Sequence, residues 1–340
     1  MEKFKSVMMN NFTDKPYIGN RDKVKPKKNE VLVKILRSTV NPSDFYFLQG
    51  QYGLFNPKKF PITPGFEASG IIEEVGEDVS KDLVGKYCSI GVSVTNPNEQ
   101  FFGVWSEYVY VNPKSLVIYE SNVNLDIACF AFVNPLTALS FIEIVKSKKL
   151  KTIAQNASCS ALGLIMIKLC KENEIELINI VRKEDQVKQL GKLGCQNIIN
   201  TSEKGWEKKF TLLSKSKECR LLFDCVGGPL TKKLFSLLPL HSTIIHYGNL
   251  EAKSLEGFES GDFIFGNKKL EGFWLSHYLS SIDSKTRNGI FNRLKKDIES
   301  NSDFYKPNIA KEVNLEGLLE SLPEYTKLSS LGKILIKPKF

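Results

Sequence analysis

No stretch of this 340-residue chain holds eighteen apolar residues in a row, so the sequence offers no membrane-spanning helix. The seven cysteines, Cys88, Cys129, Cys159, Cys170, Cys195, Cys219 and Cys225, are scattered with no Cys-x-x-Cys pair. That spacing implies neither a zinc knot nor a disulfide framework, and a reducing compartment is the simplest reading. The three histidines, His241, His246 and His277, form no metal-ligand spacing. His241 and His246 read as flanking an apolar strand. Arginine is scarce: only Arg21, Arg37, Arg182, Arg220, Arg287 and Arg293 occur, so the formal charge of +9 is almost all lysine. Nucleic-acid readers favour arginine with interleaved aromatics, and no nucleic-acid partner is expected. A diffuse lysine surface reads first as a solvated face. Its functional alternative is steering of anionic substrates, such as CoA esters or an acidic carrier protein. The N-terminal residues MEKFKSVMMNNFTDK lack a clear apolar core or cleavage site and read as a first strand, with no separable presequence.

What is present is concentrated in residues 151–182. Lys151 to Ala157 is a short apolar run ending in small polar residues. Ala161 to Lys171 carries Leu162, Ile165, Met166 and Leu169 at helical spacing, and Glu176 to Val181 is a second apolar run. This is the outline of a βαβ mononucleotide-binding unit. Arg182 stands nineteen residues after Gly163, where an NAD-binding unit places an acid for the ribose 2′-hydroxyl. Arginine followed by Lys183 suits a 2′-phosphate, and therefore NADPH. The turn itself is poor in glycine. Asn156-Ala157-Ser158-Cys159-Ser160-Ala161-Leu162-Gly163 has one, where the usual fingerprint has three. A βαβ unit that binds nothing is the alternative at this point.

The rest of the chain divides into two styles. The first third is β-rich, with strands expected at Val31 to Leu36, Gly70 to Glu74, Lys86 to Val92 and Trp105 to Val111. From Leu125 to Lys146 the period is helical, with an interruption at Asn134-Pro135. After the βαβ unit come a helix over Gln186 to Leu193, short strands at Asn197 to Asn200 and Arg220 to Val226, and a helix over Thr231 to Leu238. Strands at Ser242 to His246 and Lys269 to Leu275 follow. Strands alternating with helices predict a parallel, doubly wound sheet. Leu331 to Lys337 is a lone late strand expected to rejoin the first domain. The expected division is 1–124 with 304–340 for the β-rich domain and 125–303 for the dinucleotide-binding domain.

Several motifs now fall in order: Asn41-Pro42-Ser43-Asp44, Gln49-Gly50-Gln51-Tyr52-Gly53, Pro64-Gly65-Phe66-Glu67, Asn134-Pro135-Leu136-Thr137-Ala138, Gln155-Asn156-Ala157-Ser158, Asn179-Ile180-Val181-Arg182, Asp224-Cys225-Val226-Gly227-Gly228, Tyr247-Gly248 and Gly272-Phe273-Trp274-Leu275-Ser276. With them the whole chain resembles the zinc-independent branch of the medium-chain dehydrogenase/reductase superfamily, and most of all its mitochondrial trans-2-enoyl thioester reductases. The resemblance implies an α/β fold, a GroES-like β-rich catalytic domain plus a Rossmann domain. It also implies NADPH-dependent reduction of enoyl-CoA or enoyl-acyl-carrier-protein in type II fatty-acid synthesis.

Tyr52 matches the family tyrosine that hydrogen-bonds the substrate carbonyl and is a candidate proton donor. Read alone, it is a loop aromatic packed under the turn Gly50 to Gly53. Asn41 stands where zinc-dependent relatives carry a cysteine ligand and Phe66 where they carry a histidine, so no catalytic zinc is expected. The resemblance further assigns cofactor contacts to Asn41, Asn134, Thr137, Ser160, Ala161, Leu162, Gly163, Arg182, Tyr247, Phe273, Trp274 and Lys333. Trp274 also suits a core or dimer-strand aromatic, and Lys333 surface charge. Ala161 departs from a family glycine and Asn249 from a small residue. A homodimer is expected through edge strands near Ser242 to Tyr247 and Lys269 to Leu275. Two other functions stay open: a quinone or enone reductase, and a degenerate reductase kept as a structural subunit of a large mitochondrial assembly. The resemblance implies mitochondria, with a cytoplasmic location as the alternative.

Overall fold

A computed structural model describes residues 2–53, 57, 59–92, 100–329 and 331–338. They form two compact units, Met1–Leu136 with Asn288–Phe340, and Thr137–Arg287.

The first unit opens with an antiparallel pair, β1 (Lys3–Met8) and β2 (Tyr17–Asp22). β3 (Val31–Thr39) leads through Asn41 into the short helix α1 (Pro42–Leu48). β4 (Glu67–Val75), β5 (Tyr87–Gly91), β6 (Tyr108–Val111) and β7 (Leu116–Ile118) follow. Val31, Val33, Ile35, Ala68, Ile72, Cys88, Ile90 and Val109 alternate inward from these strands and form one core. β3 and β4 both run longer than expected. β3 continues to Thr39 because Arg37 and Ser38 pair with Ser69 and Ala68 of β4, a register that apolar alternation does not announce. The expected strand at Trp105 begins only at Tyr108. Trp105 is fully buried in the preceding loop and donates its indole N–H to the Thr39 carbonyl (2.9 Å).

The expected interrupted helix is two helices, α2 (Leu125–Ala128) and α3 (Asn134–Ser147), and the unit boundary falls inside α3. In the second unit come β8 (Thr152–Gln155), α4 (Ala161–Glu172), β9 (Glu176–Val181), α5 (Glu184–Lys192), β10 (Ile198–Asn200) and α6 (Trp206–Ser216). β11 (Leu221–Asp224), α7 (Gly228–Leu237), β12 (Thr243–His246), α8 (Ser260–Ile264), β13 (Lys269–Gly272) and α9 (Leu275–Ser281) complete it. The sheet order is β10-β9-β8-β11-β12-β13, every pairing parallel. This is the doubly wound dinucleotide-binding arrangement, with its strand order reversing between β8 and β11. Ala154, Ile178, Ile180, Leu222 and Ile244 of the sheet pack with Phe210 and Phe235 of the helices.

Two expectations at this sheet are corrected. β13 stops at Gly272, and Leu275 opens α9 rather than ending the strand. Thr243–His246 is paired on both sides, by β11 and β13, so of the two strands expected at an edge only β13 lies there.

The chain returns through α10 (Ser284–Glu299), β14 (Ile309–Val313), α11 (Leu315–Ser321), α12 (Tyr325–Ser329) and β15 (Lys333–Ile336). β15 pairs antiparallel with β3 at Ser38 and Thr39, so the late strand does rejoin the first sheet. This pairing brings Lys333 to the start of α1.

Candidate active site

In the first unit the geometry centres on the start of α1. Pro42 suits the first helical position, where no N–H is needed. Asp44 reaches back to accept from the Asn41 backbone N–H (2.6 Å), half of a capping box. The Asn41 side chain is engaged elsewhere. Its amide nitrogen donates to Glu67 Oε1 (2.7 Å), and its amide oxygen accepts from the Lys333 ammonium. That orientation is forced, because a lysine only donates and a carboxylate only accepts. The other Glu67 oxygen accepts the backbone N–H groups of Phe132 (3.0 Å) and Val133 (2.8 Å), directly before Asn134.

Asn41, Asp44, Glu67 and Lys333 are all buried. Burial pushes the Asp44 carboxyl up to about 8, against the hydrogen bond from Asn41. Burial also raises Glu67, opposed by Lys333, and lowers Lys333, opposed by Glu67 and Asp44. Asp44 Oδ1 is buried without a hydrogen-bond partner.

α1 carries the chain to Gly50, whose φ of +68° reverses it and whose missing Cβ would lie 2.9 Å from the Phe12 ring. Tyr52 follows, half-buried, with its ring 4.6 Å from that of Phe66 at 32°. Phe66 in turn meets Phe47 edge-on (5.4 Å), and Met9, Ile62 and Phe101 complete this apolar bed. Phe66, where zinc-dependent relatives carry a histidine, is thus the floor beneath Tyr52, and its chain neighbour is Glu67.

In the second unit, β8 runs into the turn and α4. Ser160 caps the helix by accepting from the Gly163 N–H (3.1 Å). Ala157, not a glycine, takes the left-handed conformation, with φ of 49°. Ala161 is helical, so its Cβ does not strain the backbone where the family carries a glycine. Gly163 is the position where glycine is required. An added Cβ would lie 2.5 Å from the Ser158 carbonyl oxygen. The single glycine of the turn is therefore the one that allows α4 to pack against it. Ser160 and Ala161 are half-buried at the helix start, whereas the Leu162 side chain is buried and leaves only its backbone for a ligand. A capped helix N-terminus beside a small-residue turn fits a pyrophosphate. Arg182, exposed at the end of β9, fits a 2′-phosphate.

Residues that the sequence motifs and expected elements contain, but to which no site role was given, gather at the switch point. Asp224 is fully buried at the end of β11 and accepts from the Asn156 amide, Thr231 Oγ1 (2.8 Å) and the imidazole Nδ1 of His246 (2.5 Å). Asn156 also accepts the Cys225 N–H (3.0 Å), which fastens the turn after β8 to the end of β11. His246 ends β12 and does more than flank it. The signal was the Asp224-Cys225 motif together with a histidine closing the next strand.

Of the remaining expected contacts, Thr137 is buried on α3 and Asn134 is half-buried at its start. Tyr247 and Phe273 both pack edgewise on Phe141 (5.0 and 4.8 Å), which stacks on Phe223. The Tyr247 hydroxyl lies in the interior beside Cys225, and burial raises it well above its ordinary value. Trp274 is 47% exposed, which rules out the core-aromatic alternative. Asn41 and Lys333 are the clearest departures. The Asn41 amide is engaged by Glu67 and Lys333, and the buried Lys333 ammonium by Asn41 and the Val40 carbonyl, so neither is offered to a cofactor, and Lys333 is not surface charge. Among the described residues no group of three or more His, Cys, Asp or Glu side chains is placed to hold a metal ion.

Two family models match the chain: the alcohol dehydrogenase GroES-like domain over residues 27–121 and the zinc-binding dehydrogenase over residues 161–288. The mitochondrial enoyl-[acyl-carrier-protein] reductase of Caenorhabditis elegans is 30% identical over 259 residues, 75% of this chain and 71% of that protein. Its Xenopus tropicalis counterpart is 30% identical over 260 residues, 74% and 71% of the two chains. Among solved structures, a putative NADPH:quinone reductase from Mesorhizobium loti superposes with a TM-score of 0.87 at 26% identity, covering 99% of both chains. A mitochondrial 2-enoyl thioester reductase heterodimer from Candida tropicalis gives a TM-score of 0.79 at 22% identity, over 99% of this chain and 100% of that one, and shows the shared fold. The chain belongs to the medium-chain dehydrogenase/reductase superfamily and, within it, to the enoyl-[acyl-carrier-protein] reductase family of NADPH-dependent oxidoreductases.

Proposed function

We propose that this chain reduces trans-2-enoyl thioesters, carried on CoA or acyl carrier protein, to acyl thioesters with NADPH, in mitochondrial type II fatty-acid synthesis. The observation that carries the reading is Tyr52 seated on Phe66, at the place where zinc-dependent members of the superfamily bind metal. A phenol there replaces a Lewis acid as the group that meets developing negative charge.

NADPH, when bound, supplies hydride to the β-carbon of the enoyl group. The protein's part is electrostatic and positional. The Tyr52 hydroxyl donates a hydrogen bond to the thioester oxygen and stabilises the enolate, and protonation of the α-carbon completes the reduction. The backbone at Ser160–Gly163 holds the pyrophosphate at the α4 N-terminus, and the Arg182 guanidinium pairs with the 2′-phosphate. Thr137, Asn134, Tyr247, Phe273 and Trp274 are assigned to the nicotinamide end by resemblance. Two copies pair through β13, which lies at the sheet edge with mostly exposed side chains.

A quinone reductase is the second reading, favoured by the likeness to the Mesorhizobium loti protein. NADPH oxidation by a trans-2-enoyl-CoA series, by quinones and by short enones separates the two. Turnover confined to enoyl-CoA supports the proposal, and turnover confined to quinones replaces it.

A further inference from the structure

The proposed chemistry leaves the buried polar cluster under α1 without a task. Burying two carboxyl groups and an ammonium is costly, and apolar side chains of similar volume would fill the same space more stably. What the cluster does have is connectivity. Glu67 holds the Phe132–Val133 N–H groups with one oxygen and the Asn41 amide with the other. Asn41 passes the link to Lys333 on β15, and the Asn41 backbone is the start of α1, the helix that leads to Tyr52. Phe66, next to Glu67, is the surface on which the Tyr52 ring lies. Both ends of the Tyr52 support, the helix before it and the ring beneath it, are therefore tied to one carboxylate.

We propose that Glu67 and Lys333, joined through the Asn41 amide, are positioning residues that hold the Tyr52 segment in place, with Phe66 as its floor. The proposal rests on the enoyl reductase reading for its effect on rate, but not for its effect on order in residues 45–53. Glu67 and Lys333 act as a charge-matched set. Removing one leaves the other buried without its partner, and removing both restores balance.

The test uses the full-length protein carrying Glu67→Gln, Lys333→Met, both together, or Phe66→Leu. Each is assayed for kcat with a trans-2-enoyl-CoA, KM for NADPH, and hydrogen–deuterium exchange over residues 45–53. Each charge variant alone is expected to lower kcat by about ten-fold or more and to speed exchange at 45–53, with the NADPH KM within about two-fold of wild type. The double variant recovers most of both losses. Phe66→Leu, which disturbs no charge, lowers kcat without moving the NADPH KM.

Wild-type exchange and kcat in the single variants overturn the proposal, as does a double variant whose losses are the product of the singles. Should the single charge variants fail to fold, an unchanged kcat and exchange in Phe66→Leu and the double variant overturn it equally. A wild-type protein that reduces no enoyl thioester sinks the functional reading instead, and the exchange measurements then decide the positioning role alone.

Discussion

At the residue scale, Asp44 ties stability to pH. Its folded value of about 8 lies above the ordinary 3.8, so the unfolded chain binds fewer protons between those limits. The stability it contributes is fully present below pH 3.8 and is lost as pH rises through about 8, at no more than about 1.4 kcal/mol per pH unit. Glu67 shifts in the same direction, Lys333 adds a slope of opposite sign below its ordinary 10.5, and Tyr325 also faces Asp44. Asp44→Asn keeps an acceptor for the Asn41 N–H and removes the Asp44 slope. Thermal midpoints from pH 5 to pH 9 are therefore expected to fall less steeply in Asp44→Asn than in wild type. Parallel curves would show that Asp44 is not held protonated.

Two further substitutions test the proposed cofactor site. Gly163→Ala places a Cβ against backbone that cannot move aside. It is expected to cost about 1–3 kcal/mol in thermal or denaturant unfolding and to weaken NADPH binding. Arg182→Ala removes one charge-assisted contact. It is expected to raise the NADPH KM by about ten- to a hundred-fold while leaving that for NADH within about two-fold. Equal loss with both cofactors would remove Arg182 from the 2′-phosphate role.

At the element scale, the βαβ unit was legible because Leu162, Ile165, Met166 and Leu169 repeat at helical spacing between two apolar runs. The structure gives α4 and β9 nearly those bounds. What escaped was narrow or polar. α6 buries Phe210 and Ser214 within a lysine-rich segment, and α10 shows only Ile290, Leu294 and Ile298 as a thin stripe in sixteen residues. β2 has no apolar alternation, since its pairing with β1 fixes it rather than burial. Phe273-Trp274-Leu275 reads as strand by composition, yet β13 has already ended. The site was legible in its residue types and not in their partners. Asn41, Phe66, Glu67 and Lys333 were each visible, but their junction joins residues up to 292 positions apart through the β3–β15 pairing.

At the scale of the whole molecule, β13 is the only strand of the expected interface that lies at the edge of the second sheet. An exposed edge of this kind invites pairing across a two-fold axis. Sedimentation is expected to give twice the 38.4 kDa chain mass. Leu270→Pro, which interrupts the edge, is expected to shift the population toward one chain. A wild-type mass of one chain would contradict the dimer. The same edge in both copies would keep each NADPH-binding sheet intact, so turnover per chain is expected to be independent of protein concentration above the dimerisation range.

In the proposed reaction the Tyr52 hydroxyl meets the negative charge that a metal meets in zinc-dependent relatives. The most direct test is kcat/KM for a trans-2-enoyl-CoA with NADPH in wild type and in Tyr52→Phe, which keeps the ring on Phe66 and removes only the hydroxyl. Turnover in wild type and a loss of about 10²–10³-fold in the variant are expected, with NADPH binding unchanged. A variant as active as wild type, or a wild type that oxidises no NADPH with any enoyl-CoA, would contradict the proposed reaction.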